Sequence, residues 1–385
     1  MPAVVGFNHL FIRPDPLTGP GYYAVQVLET LLRLPADRLA SWDLRVVIRE
    51  GTEHHYSANA LARACKVPGL SRQITRVLWE QTLLPRLARR QGFDLLFSPG
   101  FVSPLWGAQV LVATIHDMYY RIIPETLPRF QRLYWSAFIP ATSRVCDAIL
   151  AVSQNTGRDI EKFLPAAAGK VTVTPLASRF LPANHSVVIG RTPASPPYIL
   201  MIANLTPNKN VGKVVEALAM LRQRGRSIEL IHIGTDLIGE LKSATERYAM
   251  KDCVRSLGKV SDEELTRVAG GCLALVVPSL YEGFGLPALE ALALGAPLIC
   301  SDRGALPEVA GGAAIIVDPT EAAQIADAVT LMQDDGELRR RLQLAGLQRA
   351  AQFSWAQTAQ KTLEVFARQL ATKGFDFERP PLASD

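Results

Sequence analysis

The chain alternates between short, continuous apolar runs and longer stretches in which apolar residues return every three or four positions. In the first half the runs fall at residues 4–7, 44–48, 94–97, 110–115 and 148–152. Between them the helical period predicts helices over about 21–34, 74–91, 128–143 and 154–163. A strand that is apolar on both sides must be covered on both sides. Such strands alternating with helices predict a parallel sheet with helices on each face, an α/β fold. A second alternation starts at 198–203. It continues with strands at 228–233, 254–257, 273–277, 297–300 and 314–317. A last helix over 354–370 follows Ser354 and carries Trp355, Leu363, Phe366 and Leu370 on one stripe. Between the alternations, residues 181–197 hold four prolines among small polar residues and read as a linker.

At 385 residues the chain is long enough for two cores. The expected domains are a Rossmann-like domain over 1–181, a linker over 182–197 and a second Rossmann-like domain over 198–353. A helix over 354–372 and a polar, proline-rich tail over 373–385 complete it. Two doubly wound domains in sequence imply a cleft between them. Ligands in such sheets sit beyond the carboxyl ends of the strands, and the chemically informative residues do follow predicted strands. Gly19 and Gly21 lie in the loop after the first. His116 and Asp117 follow 110–115, and Ser153 follows 148–152. Residues 206–210 follow 198–203, and Gly234 follows 228–233. Residues 282–285 follow 273–277.

The last of these loops is the most specific. Glu282-Gly-Phe-Gly-Leu-Pro287 sits between a strand and a helix that ends at Gly295. A strand, glycine turn and helix present free backbone N–H groups and a helix N-terminus, a setting that favours a diphosphate. Glu282 and Glu290 bracket the turn, and both can accept hydrogen bonds from sugar or ribose hydroxyls.

Composition narrows the classes. Five scattered cysteines without metal spacing read as free thiols in a reducing compartment. The N-terminus runs into apolar residues with no basic stretch ahead of them, so no secretory leader is expected. No apolar run approaches the roughly 20 residues that span a bilayer. The expected location is therefore cytoplasmic, or peripheral on the inner face of the membrane. Residues 1–180 hold 20 Lys and Arg against 13 Asp and Glu, and residues 181–385 hold 21 against 23. The basic first half suits an anionic membrane or a phosphorylated acceptor. Without a basic run longer than three or a nucleic-acid motif, it argues against nucleic acid. The segment 76–90 combines apolar residues with four arginines. It reads either as a membrane-surface helix or as a core helix with a basic outer end, with Pro85 interrupting its pattern.

Glu282-x7-Glu290 with Gly-Phe-Gly-Leu-Pro inside it resembles the E-x7-E signature of retaining glycosyltransferases of the GT-B type, in particular glycosyltransferase family 4. Asn204-Leu-Thr-Pro-Asn-Lys-Asn210 resembles the family's lysine loop and His116-Asp117 its N-domain histidine. Gly304-Ala-Leu-Pro-Glu-Val-Ala-Gly311 resembles its next segment, and Phe353-Ser-Trp355 the start of its final helix. The resemblance implies two Rossmann-like domains facing across a cleft, the first binding the acceptor and the second the nucleotide sugar, with the final helix crossing back to the first. It implies that Glu290 holds the ribose hydroxyls and that Glu282 touches donor-sugar hydroxyls. Gly283, Phe284, Gly285, Leu286 and Asn208 would help hold the donor. Lys209 would stabilise the leaving diphosphate, and His116 and Asp117 would lie near the donor sugar or acceptor. Gly19-Pro-Gly21 matches a first loop that is usually richer in glycine, and is read equally as a ligand loop or as the start of a helix. Where many members carry a second phosphate-binding arginine, this chain has Asn204 and Asn208. Arg179, Lys213 or Arg303 are the candidate replacements.

No Asp-x-Asp motif appears, so metal-independent chemistry with no cofactor beyond a nucleotide-sugar co-substrate is expected. The expected function is retaining transfer of a sugar, with mannose from GDP-mannose favoured, to a hydroxyl of a glycan or lipid-linked acceptor in envelope or exopolysaccharide synthesis. The alternatives are a sugar-nucleotide 2-epimerase and a non-catalytic sugar-nucleotide-binding subunit.

Overall fold

The computed structural model describes residues 1–15, 17–70, 72–180 and 193–376. The predicted linker falls outside them as far as residue 192, with His185, and the predicted tail from residue 377. The chain divides into two compact units. One takes Met1–Ile122, Leu127–Leu176 and the chain from Trp355; the other takes Ile123–Thr126 and Ala177–Ser354. The first unit thus ends at Leu176, where the sequence pattern suggested residue 181. Residues 177–180 go with the second unit, and Arg179 shows why: it pairs with Glu290 and Asp262 there.

The first unit holds seven parallel strands. They are β1 (Ala3–Asn8), β2 (Trp42–Arg49), β3 (Ala64–Val67), β4 (Leu95–Ser98), β5 (Val110–Ile115), β6 (Ala148–Ala151) and β7 (Val171–Val173), in the order β3-β2-β1-β4-β5-β6-β7. The second unit holds β8 (Tyr198–Ile202), β9 (Glu229–Ile233), β10 (Val254–Ser256), β11 (Ala274–Val277), β12 (Leu298–Ser301) and β13 (Ala314–Val317), in the order β10-β9-β8-β11-β12-β13. Both orders reverse direction once, between β1 and β4 and between β8 and β11. These are the switch points where doubly wound sheets open a crevice at their carboxyl edge. β4, β5, β6, β11 and β12 are buried along their whole length, which is why they read as apolar runs. β3 and β7 escape the pattern because they are sheet edges, short and only partly covered.

The helix Trp355–Ala371 belongs to the first unit. Phe366 packs edge-on against Phe97 (5.1 Å) and Phe7 (6.2 Å), and Thr358 donates to the Pro175 carbonyl (2.5 Å). The helix Gln73–Arg90 continues through Pro85, which breaks the apolar pattern without ending the helix. Pro85 is buried, and Gly107 (φ 130°) closes over it. A side chain there would lie 2.7 Å from the Pro85 Cα. The five cysteines are free, and Cys146, Cys272 and Cys300 are buried. Among the described residues no helix is long and apolar enough to cross a membrane.

Candidate active site

The switch point of the second unit lies between the loops that follow β8 and β11, and the backbone fastens the two together. Leu280 N–H donates to the Asn208 carbonyl (2.8 Å), and the Asn208 side chain donates to the Tyr281 carbonyl (3.4 Å). Asn210 adopts a left-handed conformation (φ 57°, ψ 36°), which asparagine tolerates better than most residues. From there its amide donates to the carbonyls of Pro278 (3.1 Å) and Pro319 (2.7 Å). These bonds bring Lys209 to Glu282. Lys209 Nζ lies 2.5 Å from Glu282 Oε1, and Ser279 Oγ donates to the same oxygen (2.7 Å). Lys209 closes the short turn Pro207–Lys209, two residues ahead of the helix Val211–Gln223. It is therefore not a surface cation opposing a helix dipole. Its side chain is 19% exposed and that of Glu282 13%.

Two glycines make the Glu282 loop possible. Gly285 (φ 97°) is the residue before the helix Leu286–Ala293, and a side chain on it would meet Leu306 at 2.6 Å. Gly304 (φ 60°) lies against the backbone of Glu282. A Cβ there would sit 2.3 Å from the Glu282 carbonyl oxygen, which already accepts from the Ala305 N–H (2.9 Å). Gly283 needs no left-handed conformation. The Phe284 ring is buried, edge-on to Phe353 (5.8 Å), and belongs to the packing. Its value to a ligand, like that of Leu286 at the helix start, is in the main chain.

Glu290 lies in the same helix, and Arg179 faces it. The Arg179 Nε is 3.2 Å from Glu290 Oε1, and its Nη1 is 3.4 Å from Asp262 Oδ1. Burial pushes the Glu290 carboxyl from its ordinary 4.5 up to about 7; Arg179 opposes that shift and Asp262 adds to it. Of the three candidate replacements for the absent arginine, Arg179 stands beside Glu290. Lys213 pairs with Glu216 (3.0 Å), and Arg303 pairs with Asp302 (3.0 Å) and Asp318 (3.2 Å).

In the first unit His116 directly follows β5 and is buried. Its Nε2 donates to the Pro99 carbonyl (2.7 Å), which leaves Nδ1 as the acceptor nitrogen. Tyr23 and Phe101 rings stand 5.1 Å from it. Burial lowers its pKa to about 4, against the pull of the Pro99 carbonyl, so the imidazole is neutral near pH 7. Asp117 Oδ1 accepts from the Tyr119 N–H (3.0 Å) and so shapes the turn after the histidine. Gly19 and Gly21 do not form a loop. Both lie in the first turn of the helix Gly19–Leu32, with Pro20 between them, because proline is pre-set for that position.

The structure thus joins Lys209, Asn208 and Glu282 at one switch point, with Glu290 in the helix that follows. His116 and Asp117 lie on the other unit's sheet. Sequence reasoning missed the parts played by Asn210, Ser279, Gly304, Asp262, Tyr23 and Phe101. Asn210 carried a usable signal, an asparagine between a proline turn and a helix. Ser279 acts on Glu282 three residues away, and the others act through contacts more distant in sequence. Phe101 is held at φ 71°, a strained value for an aromatic residue, beside the histidine.

The geometry agrees with what known proteins show. Residues 24–177 match the model of Glycosyltransferase Family 4, and residues 188–349 match that of Glycosyl transferases group 1. The chain is 30% identical over 267 residues to the O-antigen chain mannosyltransferase B of Escherichia coli, covering 66% of this chain and 69% of that protein. It is 27% identical over 274 residues to the serotype-specific mannosyltransferase WbdA of Escherichia coli, spanning 67% of this chain and a third (33%) of that longer protein. Among solved structures, WaaG, a glycosyltransferase involved in lipopolysaccharide biosynthesis, superposes with a TM-score of 0.72 at 16% identity, over 94% of this chain and 99% of that one. Two Rossmann-like sheets, the E-x7-E loop at the second switch point and these likenesses have one reading: the chain belongs to glycosyltransferase family 4 and is a GT-B glycosyltransferase that uses a nucleotide-sugar donor.

Proposed function

We propose that the enzyme is a retaining, metal-independent mannosyltransferase that takes mannose from GDP-mannose and passes it to a hydroxyl of a glycan or lipid-linked acceptor. The observation that carries the donor site is the Lys209–Glu282 pair (2.5 Å) at the switch point between β8 and β11. In this reading the ammonium of Lys209 takes up the charge that grows on the departing diphosphate. The N–H groups around Gly283, Phe284, Gly285 and Leu286 receive phosphate and sugar oxygens. Glu290 accepts from the ribose hydroxyls, and Asn208 holds the lysine loop in place. In this reading Lys209 and Arg179 supply positive charge where a metal would otherwise be needed.

Chemically, the bond from the sugar C1 to the phosphate oxygen breaks, and the bond from C1 to the acceptor oxygen forms on the same face. The acceptor proton passes to the leaving phosphate. His116, neutral at working pH, can accept a hydrogen bond at Nδ1 and carries no charge. The mannose assignment draws on relatives that carry mannosyltransferase names. It is tested by thermal shift against GDP-, UDP- and ADP-sugars: GDP-mannose is expected to raise Tm most, because a ligand of the folded state stabilises as the logarithm of its excess. A larger shift with a UDP- or ADP-sugar would reject GDP-mannose as donor.

The first unit is proposed to touch an anionic membrane. Ile74, Leu78, Phe130 and Leu133 are exposed on the helices Gln73–Arg90 and Arg129–Val145, Leu133 to 72%, among Arg72, Arg129 and Arg132. Apolar and basic side chains interleaved in this way suit a membrane interface. The protein is expected to co-sediment with phosphatidylglycerol vesicles, to do so less in high salt, and to lose this when Leu78 and Leu133 become serine. Equal recovery with neutral vesicles would reject the electrostatic part.

A further inference from the structure

The first unit contains a cavity of about 410 Å³ that the donor chemistry does not use. Phe11, Arg13, Pro14, Asp15, Arg49, Arg72, Gln73 and Arg76 line it. These residues come from three neighbouring places on one sheet edge. Residues 11–15 follow β1, Arg49 ends β2, and Arg72 to Arg76 follow β3 and begin the helix Gln73–Arg90. β1, β2 and β3 are adjacent in the sheet, so the cavity lies at its carboxyl edge.

Four guanidinium groups share this space with one lining carboxylate, Asp15, which is exposed and 3.8 Å from His54 Nε2. Arg76 is already paired, 2.5 Å from the buried Glu80, which Asn8 in turn donates to (3.4 Å). Among the described residues Arg13, Arg49 and Arg72 have no carboxylate partner. Arg49 has its pKa depressed, first by burial and then by the charges of Arg13 and Arg76, so it faces like charge from both. The loop bearing Arg13 is also held in place: His54 and His55 both donate to the Pro14 carbonyl, at 3.0 and 2.8 Å. Clustered, unpaired arginines in a cavity, with the backbone braced, make a site for an oxyanion that takes several forked hydrogen bonds at once.

We propose that this cavity binds a phosphate or diphosphate group carried by the acceptor, so that the enzyme recognises its acceptor through a phosphoryl anion. The inference rests on the reading that the first unit receives the acceptor. A carboxylate carries a single negative charge and leaves most of the cluster uncompensated. A diphosphate matches the lining's excess of positive over negative side chains. The group belongs either to a soluble sugar phosphate or to a polyisoprenyl (di)phosphate at a membrane.

The test uses the full-length protein and inorganic pyrophosphate as probe, read by titration calorimetry in a Lys209→Ala background so that the donor site contributes little. Saturable binding is expected, weakened at least tenfold by Arg49→Gln and, independently, by the exposed Arg72→Gln. Both variants should keep the wild-type thermal shift with the donor nucleotide, a result that separates this site from the donor assignment. Neutral vesicles doped with a polyisoprenyl phosphate then identify the source. Binding above that to undoped vesicles and lost in Arg49→Gln, which lies outside the membrane patch, supports a lipid-borne phosphate, and binding of mannose 1-phosphate alone supports a soluble one. Pyrophosphate binding that vanishes with Lys209→Ala, or that both arginine variants retain, overturns the proposal, as does an absence of binding.

Discussion

Replacing Lys209 by alanine is expected to slow sugar transfer about 10²- to 10³-fold, the loss seen when one preorganised donor to a developing negative charge is removed. The expectation follows from where the ammonium is held. It lies 2.5 Å from Glu282, in a loop fastened to the β11 loop by Asn208 and Asn210, and it is largely buried. A surface lysine would reorganise at the moment of reaction; this one is in place beforehand. Glu282 holds it there in the absence of ligand, and an arriving diphosphate competes for the same ammonium. The rate is read as release of nucleoside diphosphate from the donor that stabilises the protein best. Lys209→Arg should recover part of the nucleotide affinity and less of the rate, since a planar fork replaces a compact charge. A rate for Lys209→Ala within threefold of wild type would remove Lys209 from the chemistry and reduce its pair with Glu282 to a structural contact.

The arrangement that puts Lys209 beside Glu282 was legible only in part. The buried strands announced themselves because a parallel sheet covered on both faces has no polar side to disguise it. With the strands in hand, the loops after them follow, and Lys209, Glu282 and His116 all fall in those loops. Edge strands such as Val171–Val173 gave no such signal, since half of their surface meets neighbours of another kind. Gly304 was visible as part of a quoted segment, but its task is set by the Glu282 backbone at 2.3 Å from where a side chain would begin, a contact no local pattern encodes. Arg179 was one of three cations that composition could not rank; it stands beside Glu290, while Lys213 and Arg303 pair with other carboxylates. The arginine cavity was hidden for the same reason. Arg13, Arg49 and Arg72 are far apart in the chain, and only the order β3-β2-β1 brings them to one edge. Gly19 and Gly21 allowed two readings, a ligand loop or a helix start, and the helix start is the one found. Glycines beside a proline look like a loop, yet that proline is equally suited to the first turn of the helix they enter.

Glu290→Gln is expected to make the ligand-free protein more stable above neutral pH while weakening nucleotide binding. In the folded chain burial raises this carboxyl from 4.5 to about 7, so the folded state holds its proton more tightly than the unfolded state does. The stability it contributes is therefore fully present below pH 4.5 and is lost as pH rises through 7, by at most about 3 kcal/mol. Glutamine, always neutral, does not lose it. At pH 8 the variant should melt higher than wild type, and at pH 4.5 the two should be close. Binding runs the other way. Ribose hydroxyls donate more strongly to a carboxylate than to a neutral group, so a bound nucleotide favours the ionised form. Wild-type affinity should then fall as pH drops below 7, and binding near pH 6.5 should release up to about one proton, measurable as calorimetric heats that differ between buffers. Glu290→Gln should abolish both the proton release and the pH slope, and lower affinity roughly 10- to 100-fold at pH 8. A structural role for the Arg179–Glu290 pair predicts something different, since removing one member would leave Arg179 with Asp262 alone and lower stability at pH 8. A variant that loses stability at pH 8 yet binds nucleotide as well as wild type would identify Glu290 as a fold residue. One that gains stability and loses affinity would mark a carboxylate kept buried at a cost to the fold because the nucleotide needs it there.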